Sequence, residues 1–142
     1  SILINNNCIK NIDIVSLREQ ITVVPQTVIT FDMSIKDNIV LDSKYDKKKL
    51  DFLINLLKLP NINKNGKKLS YGQKQRVLIA RSLYRDNKSL YIFDEYLSAV
   101  DSKTAEKIHK YVINYLKKNN KIGIFISHNQ QRSKYSNKII KL

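Results

Sequence analysis

A chain of 142 residues, 42% apolar and 27% charged, has the size and material of one ordinary globular domain with its own core. Its formal net charge of +14 points towards nucleic acid or an anionic membrane. Yet 21 of the 26 basic residues are Lys, spread over every segment beside 20 Ile and 15 Asn, so the bias is a drift of the whole chain and nucleic acid is disfavoured as a partner. The lone Cys8 excludes an internal disulfide framework and a cysteine-based zinc cluster. No apolar run approaches the roughly 18 residues of a membrane span. Gly66, Gly72 and Gly123 are not spaced to build a G-x-x-x-x-G-K-[ST] phosphate cradle.

Ser1-Ile2-Leu3-Ile4 reads as a strand entering a turn at Asn5-Asn6-Asn7; a chain that opens on Ser and runs straight into a strand is expected to be a piece of a longer one. Ile21-Thr22-Val23-Val24 is a second strand, ended by Pro25. From Asp46 to Leu59, Leu50, Leu53, Ile54 and Leu57 recur at helical spacing, widened by Phe52 and Leu56 and stopped by Pro60. A polar loop, 61–68, comes next. Ser70-Tyr71-Gly72-Gln73 matches the capping box, in which Ser accepts from an amide three residues on and Gln reaches back, so a helix starts there and runs to about Tyr84.

Leu90-Tyr91-Ile92-Phe93 is a short buried strand closing on Asp94-Glu95. Asp101 or Ser102 then caps a helix with the face Ala105, Ile108, Val112 and Leu116. Ile122–Ile126 is another strand, succeeded by Ser127-His128, a polar helical stretch and a last strand over 138–142. Alternating strands and helices predict the α/β class with parallel βαβ packing.

Ligands of an open parallel sheet bind beyond the carboxyl ends of its strands, where Asp94-Glu95 and His128 both fall. Successive side chains of an extended chain point to opposite sides. One carboxylate can therefore serve a metal while the other faces a water; equally, Asp94 can cap the next segment of the chain, with Glu95 and His128 simply solvated.

Val24-Pro25-Gln26, Leu69-Ser70-Tyr71-Gly72-Gln73-Lys74-Gln75-Arg76, Leu90-Tyr91-Ile92-Phe93-Asp94-Glu95, Ser98-Ala99-Val100-Asp101 and Ile126-Ser127-His128, in that order, resemble the nucleotide-binding domain of ABC transporters. They correspond to its Q-loop, signature motif, Walker B strand with glutamate, D-loop and H-loop. The likeness covers essentially the whole chain, and the flanks Leu17-Arg18 before the Q-loop and Asn38-Ile39 after it resemble the exporter branch. It implies a partial P-loop NTPase fold, a mostly parallel sheet with flanking helices and a short helical subdomain. The divisions would be 1–42 with the Q-loop, 43–69 helical, and 70–142 with the signature helix, Walker B, D-loop and H-loop.

The resemblance also implies tasks. Gln26 and Asp94 offer oxygens to the magnesium ion of Mg-ATP. Glu95 accepts a proton from, or orients, the attacking water, and His128 donates where charge develops on the γ-phosphate. Ser70, Gly72 and Gln73 sit at a helix N-terminus, whose free N–H groups and dipole suit an anion, here the γ-phosphate of ATP held by a second copy. Asp101 links the two sites or caps the next helix. Tyr71 departs from the usual glycine, and Lys74 and Arg76 serve either phosphate or a solvated face. The family's phosphate loop and adenine-stacking aromatic are not among these residues.

The expected function is ATP hydrolysis driving a membrane exporter from its cytoplasmic face, with a second nucleotide-binding domain and a transmembrane domain as partners. The alternatives are a soluble ATPase of the same family acting on ribosomes or DNA, and a non-catalytic half that lends its signature motif to a partner.

Overall fold

The structure is a computed structural model that describes residues 2–4, 6–128 and 135–140. A short hairpin opens it, β1 (Leu3–Ile4) pairing antiparallel with β2 (Asn7–Cys8). Among the described residues the main sheet has three strands, β3 (Ile21–Val24), β4 (Leu90–Asp94) and β5 (Ile122–Ile126), in the order β3-β4-β5 and all parallel. Five α-helices accompany them among the described residues: α1 (Ile14–Gln20), α2 (Ile35–Val40), α3 (Lys47–Leu56), α4 (Tyr71–Tyr84) and α5 (Ser102–Lys118). None is long and apolar enough to cross a membrane.

One face of the sheet carries the core. Val24, Tyr91 and Phe93 are buried, Phe125 stacks on Phe93 with centroids 5.1 Å apart, and α5 covers them, Tyr115 lying edge-on to Tyr91 and His109 edge-on to Phe125. The predicted face of α5, Ala105, Ile108, Val112 and Leu116, is buried as a unit. The opposite face shows Val23, Ile122, Ile124 and Ile126, all exposed.

Helices α2, α3 and α4 pack together beside the sheet through Ile35, Ile39, Leu50, Leu53, Leu57 and Leu83, each at most 2% exposed. Asp46 caps α3 by accepting from the Lys49 amide at 3.0 Å. The far end of α3 is held by Arg76, whose Nη1 donates to the carbonyls of Leu57 and Lys58, both at 3.1 Å; helix-end carbonyls need such donors. Arg76 is thus not a purely solvated charge: it ties α4 to the end of α3. Phe52, expected to widen the apolar stripe of α3, is half-exposed.

Two helices escape the sequence reading. They run to seven and six residues, too short for a periodic signal, yet each has a capping residue: Asp13 accepts from the Ser16 amide at 2.8 Å and Ser34 from the Asp37 amide at 3.0 Å. The strand expected over 138–142 does not form in its described part, 138–140. A strand needs a neighbour with free edge groups, and Ile139 and Ile140 stand in solvent. The polar helical stretch expected before it lies mostly outside the described residues.

Candidate functional site

Register places the candidate residues side by side. Val24 pairs with Phe93 and Phe93 with Phe125, so Asp94 lies at, and Gln26, Glu95 and His128 just past, the carboxyl ends of neighbouring parallel strands. Beyond β4 the ladder continues one step, the Glu95 amide donating to the Ile126 carbonyl at 3.0 Å. Glu95 then turns the chain out of the sheet with φ +44°, in the left-handed region, a conformation that costs a residue with a Cβ about 1 kcal/mol or more.

The Glu95 carboxylate points across to β5, where its Oε1 accepts from the His128 main-chain amide at 2.7 Å. The contact runs through the backbone of His128, whose side chain is exposed. The Asp94 carboxylate makes no hydrogen bond among the described residues, and the Gln26 side chain is exposed. No three His, Cys, Asp or Glu side chains among the described residues gather into a metal cage. Asp94 and Gln26, at the ends of neighbouring strands, each carry a side-chain oxygen of the type that magnesium could take.

The N-terminus of α4 is built as its sequence predicts. Ser70 Oγ accepts from the Gln73 amide at 3.3 Å and Gln73 Oε1 from the Ser70 amide at 3.1 Å, a complete capping box. Tyr71 is the first residue of the helix and leaves its backbone regular. Its hydroxyl donates to the main-chain carbonyl of Gln26 at 2.6 Å, tying the α4 terminus to the segment after β3.

Gly72 is required within the chain. A Cβ there would lie 2.5 Å from the Ala99 carbonyl oxygen, so α4 and the loop after β4 are in backbone contact. A larger residue at 72 therefore collides with its own chain. Asp101 does cap α5, accepting from the Thr104 amide at 2.9 Å, and that bond holds its carboxyl below the usual carboxylate range.

Gln75 is the residue that sequence reasoning missed. It is fully buried, and its Nε2 donates to the Glu95 carbonyl at 3.0 Å and to Ser98 Oγ at 3.2 Å while its Oε1 accepts from the Ala99 amide at 3.1 Å. One signal was available: Gln75 lies three, four and seven residues from the buried Leu78, Ile79 and Ser82. A polar side chain on a buried helical stripe must find partners.

The profile of the ABC transporter family matches residues 1–98. The ABC transporter ATM1 of Plasmodium falciparum is 32% identical over 153 residues, covering 99% of this chain and 14% of that protein. The ATP-dependent lipid A-core flippase of Wigglesworthia glossinidia brevipalpis is 35% identical over 154 residues, covering 99% of this chain and 26% of the flippase. The chain thus spans about a quarter or less of the length of these relatives. Among solved structures, a bacterial Atm1-family ABC exporter with ATP bound superposes with a TM-score of 0.78 at 27% identity, covering 92% of this chain and 25% of the exporter chain.

Proposed function

Because this chain belongs to the ABC transporter family, we propose that it supplies two halves of two ATP sites. The strand ends Gln26, Asp94, Glu95 and His128 serve the nucleotide of its own subunit, and the α4 terminus, Ser70, Gly72 and Gln73, faces that of a second subunit. The full-length protein would couple ATP hydrolysis to export, working at the cytoplasmic face of a membrane through a transmembrane partner. The flippase match over almost the whole chain supports the exporter branch.

The observation that carries this reading is the Glu95 carboxylate. It stands where a parallel sheet presents its ligands, with one oxygen fixed by the His128 amide and the other left to face a water. In hydrolysis the water oxygen bonds to the γ-phosphorus, the bond to the bridging oxygen of ADP breaks, and the water's proton passes to Glu95. His128 would donate to the charge that gathers on the phosphoryl oxygens. Asp94 and Gln26 would hold magnesium, which screens the phosphate charge when bound. The N–H groups at the start of α4, with Ser70 as cap, offer an anion site to the opposite γ-phosphate.

The functional divisions proposed are 1–42, carrying the Q-loop, 43–69 as a short helical subdomain, and 70–142. A groove lined by Phe31, Met33, Val40 and Tyr45, with Phe31 and Tyr45 half-exposed, begins just beyond Gln26. With Lys36, Asp37 and Arg85 also on its lining, it would give a transmembrane partner a seat of mixed apolar and charged character.

The test is a paired measurement. Full-length protein should hydrolyse Mg-ATP, while calorimetric titration of the isolated 142 residues should show only weak binding, since no G-x-x-x-x-G-K-[ST] cradle is among them. A full-length protein without ATPase activity overturns the function, and submicromolar Mg-ATP affinity of the isolated chain overturns the account of how nucleotide is held.

A further inference from the structure

We propose that Gln75 is a positioning residue: its side-chain amide sets the backbone of Glu95 and locks the catalytic loop to the same helix whose N-terminus is offered to the second nucleotide site. The proposal rests on Glu95 being the base.

The orientation of the amide is dictated by its neighbours. The Ala99 main-chain N–H can only donate and the Glu95 carbonyl can only accept, so Oε1 must face the first and Nε2 the second, as observed at 3.1 Å and 3.0 Å. All three bonds made by the side chain end on the loop 95–99. That loop begins with the left-handed Glu95 and is crossed by a bond from the Ser98 amide to the Glu95 carbonyl at 3.0 Å. A backbone in a costly conformation persists when its surroundings over-determine it. At Glu95 those surroundings are the Ile126 carbonyl on one side and Gln75 on the other.

A second contact makes the link rigid. One turn earlier on α4, Gly72 touches the Ala99 carbonyl so closely that no Cβ fits between them. The loop is therefore fastened to α4 at Gly72 and at Gln75. A shift of α4, as when its N-terminus engages a phosphate, must carry the Glu95 main chain with it. Gln75 thus connects the half-site that a subunit lends with the base that it keeps.

Glu95→Gln, Gln75→Met and the double variant of the full-length protein decide the matter. Methionine keeps the unbranched length and fills the same space but forms none of the three bonds. Gln75→Met should lower kcat about tenfold or more while KM for ATP moves by less than about twofold, because displaced reacting groups cost rate rather than binding. In single turnovers, Gln75→Met should cause no additional loss in the Glu95→Gln background, since Gln75 acts through Glu95. Wild-type kcat in Gln75→Met, or losses that multiply in the double variant, overturn the proposal. Normal turnover in Glu95→Gln overturns the underlying reading of the base as well. Hydrogen exchange of the wild-type protein gives an answer that needs no variant. The Ala99 amide should be protected together with α4 although its residue is exposed, and exchange as fast as that of freely solvated loop amides contradicts the proposal.

Discussion

The main-chain amide of His128 donates to Glu95 Oε1 at 2.7 Å, so the carboxylate proposed as the base also bridges the ends of β4 and β5. The side chain is thereby held in one orientation before any substrate arrives, and its other oxygen is left to act. An amide oxygen can accept the same bond. Glu95→Gln should therefore fold with an unchanged melting temperature while turnover of the full-length protein falls by about a hundredfold or more. Turnover near normal would remove Glu95 from the chemistry.

Ser70 and Gly72 separate capping from packing. Ser70→Ala should cost about 1 kcal/mol, the usual worth of an N-cap. Gly72→Ala leaves the capping box in place but pushes a methyl against the Ala99 carbonyl, a backbone overlap worth about 2 kcal/mol. Urea unfolding measures both, and equal costs would mean that the loop after β4 yields more easily than its contacts indicate.

Asn38 holds the segment after Gln26 in place. Fully buried, it accepts from the Phe31 amide at 2.8 Å and donates to the carbonyls of Phe31, Met33 and Ser34. Arg81 reaches its side chain and its carbonyl as well. Asn38→Ala should destabilise by about 3 kcal/mol, because several buried backbone groups lose their partners together. A loss below about 1 kcal/mol would show that water replaces the asparagine.

Asp101 gives a pH dependence of known sign. Its carboxyl is held low in the folded chain by the Thr104 amide, so its contribution is complete above the unfolded carboxyl value and is lost as pH falls through the lower, folded one. Asp101→Asn keeps a capping side chain that does not titrate. The stability difference between wild type and Asp101→Asn should shrink on acidification, and a difference independent of pH would contradict the cap.

What was legible in the sequence was local. The Ser70–Gln73 box, the Asp101 cap, strands β3, β4 and β5 and the buried face of α5 are all set by residues within a few positions of one another. Apart from α1 and α2, whose seven and six residues are too few for a periodic signal, the missed features are those whose partners come from elsewhere in the chain. Tyr71 meets Gln26 across 45 positions, Arg76 serves the end of α3 across 18 and 19, and Gln75 reaches the loop after β4 across 20 to 24. The last strand failed for the same reason in reverse, since its sequence allows a strand but pairing is decided by the neighbours beside it.

The central claim, that each subunit keeps Glu95 for its own nucleotide and lends the α4 terminus to the other, is tested most directly by where two inactivating changes fall in a defined heterodimer. Glu95→Gln and Ser70→Arg placed on opposite subunits should both strike one site and leave the other active; placed on one subunit they should silence both. ATP hydrolysis that survives only when the two changes share a subunit would contradict the account.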